Sequence, residues 1–213
     1  MVLLPLFPLP NVVLFPGVPL SLHIFEPRYR ALVTDVLATD RRFGMVLPQA
    51  GWESDYDGRP AIHKVGCSGV IVHSERLDDG RYNIVLHGLE RFRIREEDQS
   101  RLYRQATVEW LPEPLRSDTD QQALGDLRVK LQERLSLPGP TAFEGSAPEA
   151  QRLVGMPDDV LVHMLAQYLN LEPIEKQALL ERDTVCLRAE ALLDFIEMKR
   201  LETSRPGAAN VLH

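Results

Sequence analysis

Three arginines on one stretch of the chain are the first candidates for binding chemistry. Arg91, Arg93 and Arg95 alternate with Phe92 and Ile94. Successive side chains of a strand point to opposite faces, so this spacing places all three guanidinium groups on one face. Guanidinium groups bind phosphates well, and the pattern therefore predicts a nucleic-acid face. The alternative is a solvated surface balanced by four neighbouring acidic residues, Glu90, Glu96, Glu97 and Asp98.

Four aromatic side chains could provide contact area for a polypeptide: Phe7, Phe15, Trp52 and Tyr56. Trp52 and Tyr56 lie in a polar, glycine-containing segment at 48–60, which is predicted to be a surface loop. Phe7 and Phe15 lie in a proline-rich apolar opening, which predicts either buried strands or partly exposed edges that add a peptide as a further strand. Partial exposure is what recognition of unfolded chains requires, because such chains are bound through apolar surface.

A nucleophile is not predicted, although Gly66-Cys67-Ser68-Gly69 superficially looks like a nucleophile turn. The G-x-S-x-G elbow requires a corner between a strand and a helix, whereas here a strand is expected to continue through residues 70–73. The two glycines therefore indicate a bulge or close backbone packing.

Metal and cofactor sites are not predicted either. His73 and His87 flank an expected hairpin at similar distances from its turn, with His63 and Cys67 near in sequence. The chain nevertheless has no tight ligand pair such as H-x-x-x-H or C-x-x-C. No Gly-Lys dipeptide occurs, so the phosphate-binding loop G-x-x-x-x-G-K-[ST] is absent. We therefore expect no catalytic residue, metal or cofactor.

The overall composition is that of an ordinary globular protein from a reducing compartment. Of the 213 residues, 44% are hydrophobic and 26% are charged. The 31 acidic residues outnumber the 24 basic ones and give a net charge of -7, which disfavours a surface built mainly for phosphate backbones. The two cysteines have no C-x-x-C spacing, which favours a cytoplasmic location over an oxidising compartment.

A membrane span is not predicted, although the first 25 residues carry no charged side chain. Five prolines in this stretch each remove a backbone hydrogen-bond donor and prevent a continuous helix. The basic region and small-residue cleavage site that are typical of a secretory signal are also missing.

The elements that would position these residues divide into a β-rich part and a helical part. Residues 1–114 are predicted to form the β unit, 115–203 a helical bundle and 204–213 a flexible tail. Glu26-Pro27 predicts the start of one helix in the β unit, and Asp78-Asp79-Gly80 predicts a hairpin turn. Strands are expected at 3–7, 12–15, 20–24, 43–47, 65–74, 82–86, 89–94 and 103–110.

Helical periodicity begins after Ser117. Thr119 and Gln122 predict a capping box, and leucines recur at 124, 127, 131 and 135 as an apolar stripe. Further helices are expected at 161–169, 174–180 and 183–201, the last of them capped by Asp183.

Several stretches of the chain resemble one known family in the same order. The opening reads LPLFPL at 4–9, VVLFPG at 12–17 and LSLHIFEPRY at 20–29. The later stretches are VGCSGVIV at 65–72, VLHGLERFRI at 85–94 and EKQALLE at 175–181. Together they closely resemble the N-terminal substrate-binding domain of Lon proteases.

This resemblance implies an α+β fold, in which a twisted PUA-like β pseudo-barrel with one helix precedes a C-terminal helical bundle. It also implies a non-catalytic module that recognises unfolded or tagged polypeptide, with a separate protease or chaperone as partner, as a monomer or weak dimer. Two alternatives stay open. One is an RNA-binding protein that uses the Arg91, Arg93 and Arg95 face, since PUA-like folds include RNA binders. The other is a small hydrolase or metal-dependent enzyme.

Overall fold

The computed structural model describes residues 3–55, 58–98, 100–136 and 155–204. These residues form six strands and five α-helices, which confirms the predicted α+β class. The internal contacts divide the chain into two compact units, Met1–Glu113 and Pro114–His213. Within the described ranges, no helix combines the length and the apolar character that a bilayer crossing requires.

The first unit is a strongly connected sheet with one helix, α1 (Pro27–Leu37). The strand order is β2-β5-β4-β3-β1-β6, and β6 also pairs with β5, so the sheet closes on itself. Only the β1–β3 pairing is parallel among the strand pairs described. The strands are β1 (Leu3–Pro8), β2 (Pro19–Ile24), β3 (Arg42–Val46), β4 (Val65–Arg76), β5 (Tyr82–Asp98) and β6 (Arg104–Leu111).

Strand β5 is the longest strand and makes the closure possible. Its first part pairs with β2 and its last part with β6, while β4 follows it on the other side. The two strands predicted at 82–86 and 89–94 are therefore one strand. The predicted hairpin turn between β4 and β5 is confirmed: Gly80 has φ 81°, and the Asp79 carboxylate accepts a hydrogen bond from the Arg81 amide at 3.0 Å.

The segment 12–15 was predicted as a strand and forms none. Its side chains Val13, Leu14 and Phe15 are nevertheless buried, so the apolar pattern reports burial and not strand pairing. The nearby backbone hydrogen bonds hold the segment that follows, since the Gly17 amide donates to the Gly88 carbonyl at 2.9 Å. An apolar run of this length cannot by itself distinguish a buried strand from a buried connection.

The Gly66-Cys67-Ser68-Gly69 segment serves packing in β4. A side chain at Gly66 would lie 2.5 Å from the Met45 carbonyl oxygen, and the strand pairing shifts register between Cys67 and Gly69. The Ser68 hydroxyl donates to the Glu90 carbonyl at 3.0 Å. Close backbone approach thus accounts for the glycines, as the sequence indicates.

The second unit contains four helices: α2 (Asp118–Ser136), α3 (Asp158–Tyr168), α4 (Pro173–Leu180) and α5 (Val185–Ser204). Leucines at 124, 131, 161, 165 and 192 are almost completely buried and form much of its interior. A buried polar pair lies among them, because the Arg188 Nε donates to His163 Nε2 at 3.1 Å. The Arg188 Nη1 also donates to the Arg182 carbonyl at 2.8 Å, which satisfies a guanidinium that is 0% exposed.

Two helix starts differ from the predicted ones by one or two residues. Ser117, not Thr119, caps α2, since its hydroxyl accepts a hydrogen bond from the Asp120 amide at 3.2 Å. The Asp120 carboxylate in turn accepts from the Ser117 amide at 3.0 Å, which completes a reciprocal box. Similarly, the Thr184 hydroxyl accepts from the Leu187 amide at 3.2 Å, so Thr184 takes the place predicted for Asp183 at the start of α5.

Candidate functional site

The first unit carries an open pocket with a volume of about 230 Å³, which we call the proline pocket. Four prolines from two regions of the chain form its rigid walls: Pro8, Pro10, Pro48 and Pro60. They lie where β1 ends and on the loop that joins β3 to β4. Proline rings are apolar and conformationally fixed, so these walls present a preformed surface to a ligand.

Three aromatic residues also line the proline pocket: Tyr29, Trp52 and Tyr103. Tyr29, in the first turn of α1, is 5% exposed and donates its hydroxyl to the Pro8 carbonyl at 3.1 Å. Trp52 begins a short 3₁₀ helix, Trp52–Asp55, and is partly exposed. Leu102 lies beside them on the β5–β6 connection and is 82% exposed. The pocket therefore combines a fixed interior with apolar side chains that water still reaches.

Tyr103 is the third of these aromatic residues and keeps its proton at neutral pH. Its hydroxyl donates to the Asp35 carboxylate at 2.7 Å. Burial, followed by this hydrogen bond and the negative charge of Asp35, raises the pKa of Tyr103 to about 12. The ring thus lines the pocket while its hydroxyl is held by the carboxylate.

Three arginines bring positive charge to the same pocket. The Arg28 guanidinium is 2.9 Å from the Glu26 carboxylate, and its central carbon lies 4.7 Å from the centre of the Tyr29 ring. The Arg59 Nη2 donates to the Arg101 carbonyl at 3.3 Å. Among the described residues that line the pocket, none is acidic.

Arg104 is the most buried of the three, with 8% of its side chain exposed. Its Nη2 donates to the Pro60 carbonyl at 2.7 Å, and its Nη1 lies 3.6 Å from the Glu97 carboxylate. Burial lowers the pKa of Arg104, Glu97 opposes that effect, and repulsion from Arg59 and Arg28 adds to it. The guanidinium remains charged at neutral pH because its ordinary pKa is so high.

The described lining of the proline pocket is suited to binding. It contains no serine, cysteine, histidine or carboxylate side chain, the groups that most often act as nucleophiles or general bases. Apolar walls, aromatic faces and guanidinium groups can hold a ligand through burial, stacking and charge. None of these interactions requires a bond in the ligand to break.

The aromatic residues predicted to contact polypeptide have different positions. Trp52 lines the proline pocket, and Tyr56 lies outside the described residues. Phe7 and Phe15 are only 4% and 0% exposed, which corrects the expectation that this opening could present them to a peptide. The Phe7 ring is instead held in the interior, with its centre 4.0 Å from that of Tyr29.

The predicted face of Arg91, Arg93 and Arg95 is reduced to two surface residues. Arg91 is 4% exposed and belongs to the interior, which corrects the expectation of three guanidinium groups on one open face. Arg93 and Arg95 both form ion pairs with Glu109 on the neighbouring strand β6. Their charge is thereby partly neutralised before any phosphate could approach.

The histidines do not gather into a metal site. The pairing places His73 opposite Val85 and His87 opposite Val70, so the two histidines are not direct cross-strand neighbours. Across the parts of the chain that the structure describes, no group of three or more His, Cys, Asp or Glu side chains could hold a metal ion.

Sequence reasoning missed most of the proline pocket. The sequence does not mark Arg28, Arg59, Arg104 or Tyr29 as site residues. The available signal was the position of the prolines at strand ends and next to arginines, as in Arg59-Pro60 and Pro27-Arg28. Only the closed sheet shows that these distant segments meet.

A comparison with protein families matches residues 3–198 to the ATP-dependent protease La (LON) substrate-binding domain. Among curated relatives, Lon protease 2 of Syntrophobacter fumaroxidans is 31% identical over 178 residues, which cover 83% of this chain and 22% of that protein. The Lon protease of Cytophaga hutchinsonii is 30% identical over 95% of this chain and 25% of that protein. The chain thus spans about a quarter or less of the length of these relatives.

Solved structures have the same architecture. A Lon N-terminal domain protein from Xanthomonas campestris superposes with a TM-score of 0.62 at 25% identity, covering 92% of this chain and 99% of that one. The N-terminal domain of a Mycobacterium avium complex Lon protease gives a TM-score of 0.64 at 17% identity, which supports the fold alone.

Proposed function

We propose that this chain, which belongs to the Lon substrate-binding domain family, is a non-catalytic binding module. Its ligand is unfolded or tagged polypeptide, which binds in the proline pocket. The observation that carries the proposal is the combination of rigid proline walls with the accessible side chains of Trp52 and Leu102. Unfolded chains display apolar side chains that folded proteins hide, and a preformed apolar pocket binds them with little ordering cost.

The proposal includes a role in the cell, which we infer from the same family membership. A module that only binds polypeptide would deliver it to a separate protease or chaperone, and we place this activity in the cytoplasm. Both cysteines, Cys67 and Cys186, are in the thiol form and not in a disulfide, which suits a reducing compartment. RNA binding is less well supported, since Arg91 is buried and Glu109 pairs with both remaining arginines.

The direct test is photo-crosslinking of the purified chain to a reduced and alkylated model protein that cannot refold. We expect Trp52→Ala to weaken capture by roughly tenfold or more, because truncating an aromatic residue at the centre of an interface commonly costs about 2 kcal/mol or more. The chain offers a matched control in its only other tryptophan, Trp110, which lies on β6 and does not line the pocket.

Trp110→Ala should leave capture unchanged. Equal capture by the native chain and the Trp52→Ala variant, with both folded by circular dichroism, would reject the proline pocket as the binding site. Trp110→Phe further leaves Trp52 as the single indole, so that its fluorescence should change when polypeptide binds.

A further inference from the structure

The charge around the proline pocket does not match that of the chain as a whole. The chain has a net charge of -7, yet the described lining contains three arginines and no carboxylate. Two carboxylates just outside the lining pair with two of the arginines, Glu26 with Arg28 and Glu97 with Arg104. Among the described residues, Asp98 lies near enough to Arg59 to attract it but forms no ion pair with it, so Arg59 keeps the least neutralised charge of the three arginines. The described lining thus carries a small positive surplus, which suits a ligand with a single negative charge.

Two of the arginines are held in place, and the third lies at the accessible side. Arg104 is fixed by the Pro60 carbonyl at 2.7 Å, and Arg28 is fixed by Glu26 and by the face of Tyr29. Arg59 is exposed, and its hydrogen bond to the Arg101 carbonyl, at 3.3 Å, is longer than that of Arg104 to the Pro60 carbonyl. An exposed guanidinium of this kind can reorient towards an incoming anion at little cost.

The cations are close enough to affect one another. Both Arg59 and Arg28 lower the pKa of the Arg104 guanidinium through repulsion, although burial has the larger effect. A bound anion would relieve this repulsion. The apolar walls beside the arginines exclude part of the water and strengthen such an ion pair compared with one on an open surface.

We propose that the proline pocket selects the C-terminal residue of a polypeptide, with the main-chain carboxylate at the arginines and an apolar side chain against Trp52 and the prolines. This inference rests on the proposed function and narrows it from polypeptide in general to polypeptide ends. It predicts that a substrate is recognised where an apolar last residue is exposed.

A chain end fits better than an acidic side chain within a peptide. At the last residue, the carboxylate and the side chain share one Cα atom, so both can enter a single pocket. Within an extended peptide, neighbouring side chains point to opposite faces, so an internal Asp or Glu next to an apolar residue would direct its carboxylate away. Phosphodiester chains carry a negative charge on every unit, which exceeds the surplus charge of the pocket.

The test measures binding of fluorescein-labelled decapeptides that end in Ala-Leu, with either a free carboxylate or a C-terminal amide. The free acid should bind the native chain at least roughly tenfold more tightly, as expected for hydrogen bonds to a charged group. Arg59→Gln should reduce this ratio below about threefold, chiefly by weakening binding of the free acid. Arg134→Gln is the matched control, since Arg134 is an exposed arginine of the helical unit that pairs with Glu197.

The outcomes separate the inference from the proposed function. Equal binding of acid and amide, with both lost in Trp52→Ala, overturns carboxylate selection and keeps polypeptide binding in the pocket. Binding of neither peptide, together with capture of unfolded protein that Trp52→Ala does not affect, rejects the pocket itself. An amide peptide with glutamate as its last residue should bind no better than the Ala-Leu amide, and tight binding of it would overturn the assignment to the chain end. Stronger competition by adenosine monophosphate than by the free-acid peptide would overturn the inference in favour of a nucleotide.

Discussion

Burial and, after it, one carboxylate determine the protonation of Tyr103 in the proline pocket. The residue is 5% exposed, and its hydroxyl donates to Asp35 at 2.7 Å. Loss of the hydroxyl proton would place a second negative charge against Asp35 in a partly dry environment. The protonated form is therefore stabilised by the fold, and the pKa rises to about 12.

This pKa predicts how stability depends on pH at the alkaline end. The folded value of about 12 lies above the unfolded value of about 10, so the folded state holds this proton more tightly. The stabilisation is complete below about pH 10 and is lost as the pH rises through 12. Tyr103→Phe should remove one late step from the tyrosinate absorbance titration at about 295 nm. An unchanged titration in that variant would contradict the assignment. Any tyrosine that still titrates at high pH in the variant should be Tyr168, because burial also raises its pKa.

Two glycines should respond to alanine in opposite directions. A Cβ at Gly88 would lie 2.0 Å from the Phe15 carbonyl oxygen, and backbone on this scale cannot move aside cheaply. Gly88→Ala should therefore lower the free energy of unfolding by about 1–3 kcal/mol, as overpacking does. Gly125 lies inside α2, and apart from its neighbours along the helix no heavy atom lies within 4 Å of an added Cβ, so Gly125→Ala should raise stability by up to about 1 kcal/mol. Urea denaturation followed by circular dichroism would measure both, and a stabilising Gly88→Ala would refute the close approach.

At the scale of single residues, sequence alone identified Trp52 but few of its companions. Trp52 is a candidate because it is a large apolar residue in a polar loop and belongs to no periodic apolar pattern. Arg28, Arg59 and Arg104 are ordinary arginines within their own segments, and only the fold brings them together. Phe7 and Phe15 show the reverse case, since their apolar surroundings favour burial, and the structure buries both.

The start of α2 gives a prediction at the level of an element. Ser117 and Asp120 satisfy each other's backbone amides, whereas no hydrogen bond assigns a cap to Thr119. Ser117→Ala should destabilise the helical unit by about 0.5–2 kcal/mol, the usual cost of losing a cap. Thr119→Ala, at the position that the sequence favoured, is the control and should change stability by less than about 0.5 kcal/mol. Thermal unfolding by circular dichroism would distinguish the two, and equal effects would contradict the observed cap.

The elements were predictable where periodicity and turn residues agreed. The hairpin of β4 and β5 combines alternating apolar residues with Asp79-Gly80, and the structure confirms it. The strand expected at 12–15 failed because its apolar residues are buried without a partner strand. The strands predicted at 82–86 and 89–94 are one strand, β5, in which Gly88 permits a close approach to Phe15 without ending the strand.

At the scale of the whole molecule, the acidic surroundings limit what the proline pocket can bind. A net charge of -7 repels polyanions at long range, while a single carboxylate is opposed much less. Raising the salt concentration from about 50 to 500 mM should weaken binding of the free-acid peptide by about three- to tenfold, as expected for one ion pair. Binding of the amide should hardly change. Fluorescence anisotropy at several salt concentrations would measure this, and a much steeper dependence would indicate several ionic contacts and count against a single carboxylate.

The closure of the sheet also fixes when the first unit can fold. Leu3 of β1 pairs with Thr107 of β6, so the earliest strand is joined to the last one, about a hundred residues later. At ribosomal speeds, those residues take roughly 5–20 s to be synthesised. A nascent chain that is arrested before β6 emerges cannot close the sheet. Its uncharged N-terminal segment then stays exposed until β6 pairs with β1. A protein proposed to recognise unfolded polypeptide is thus itself incompletely folded for several seconds of its own synthesis.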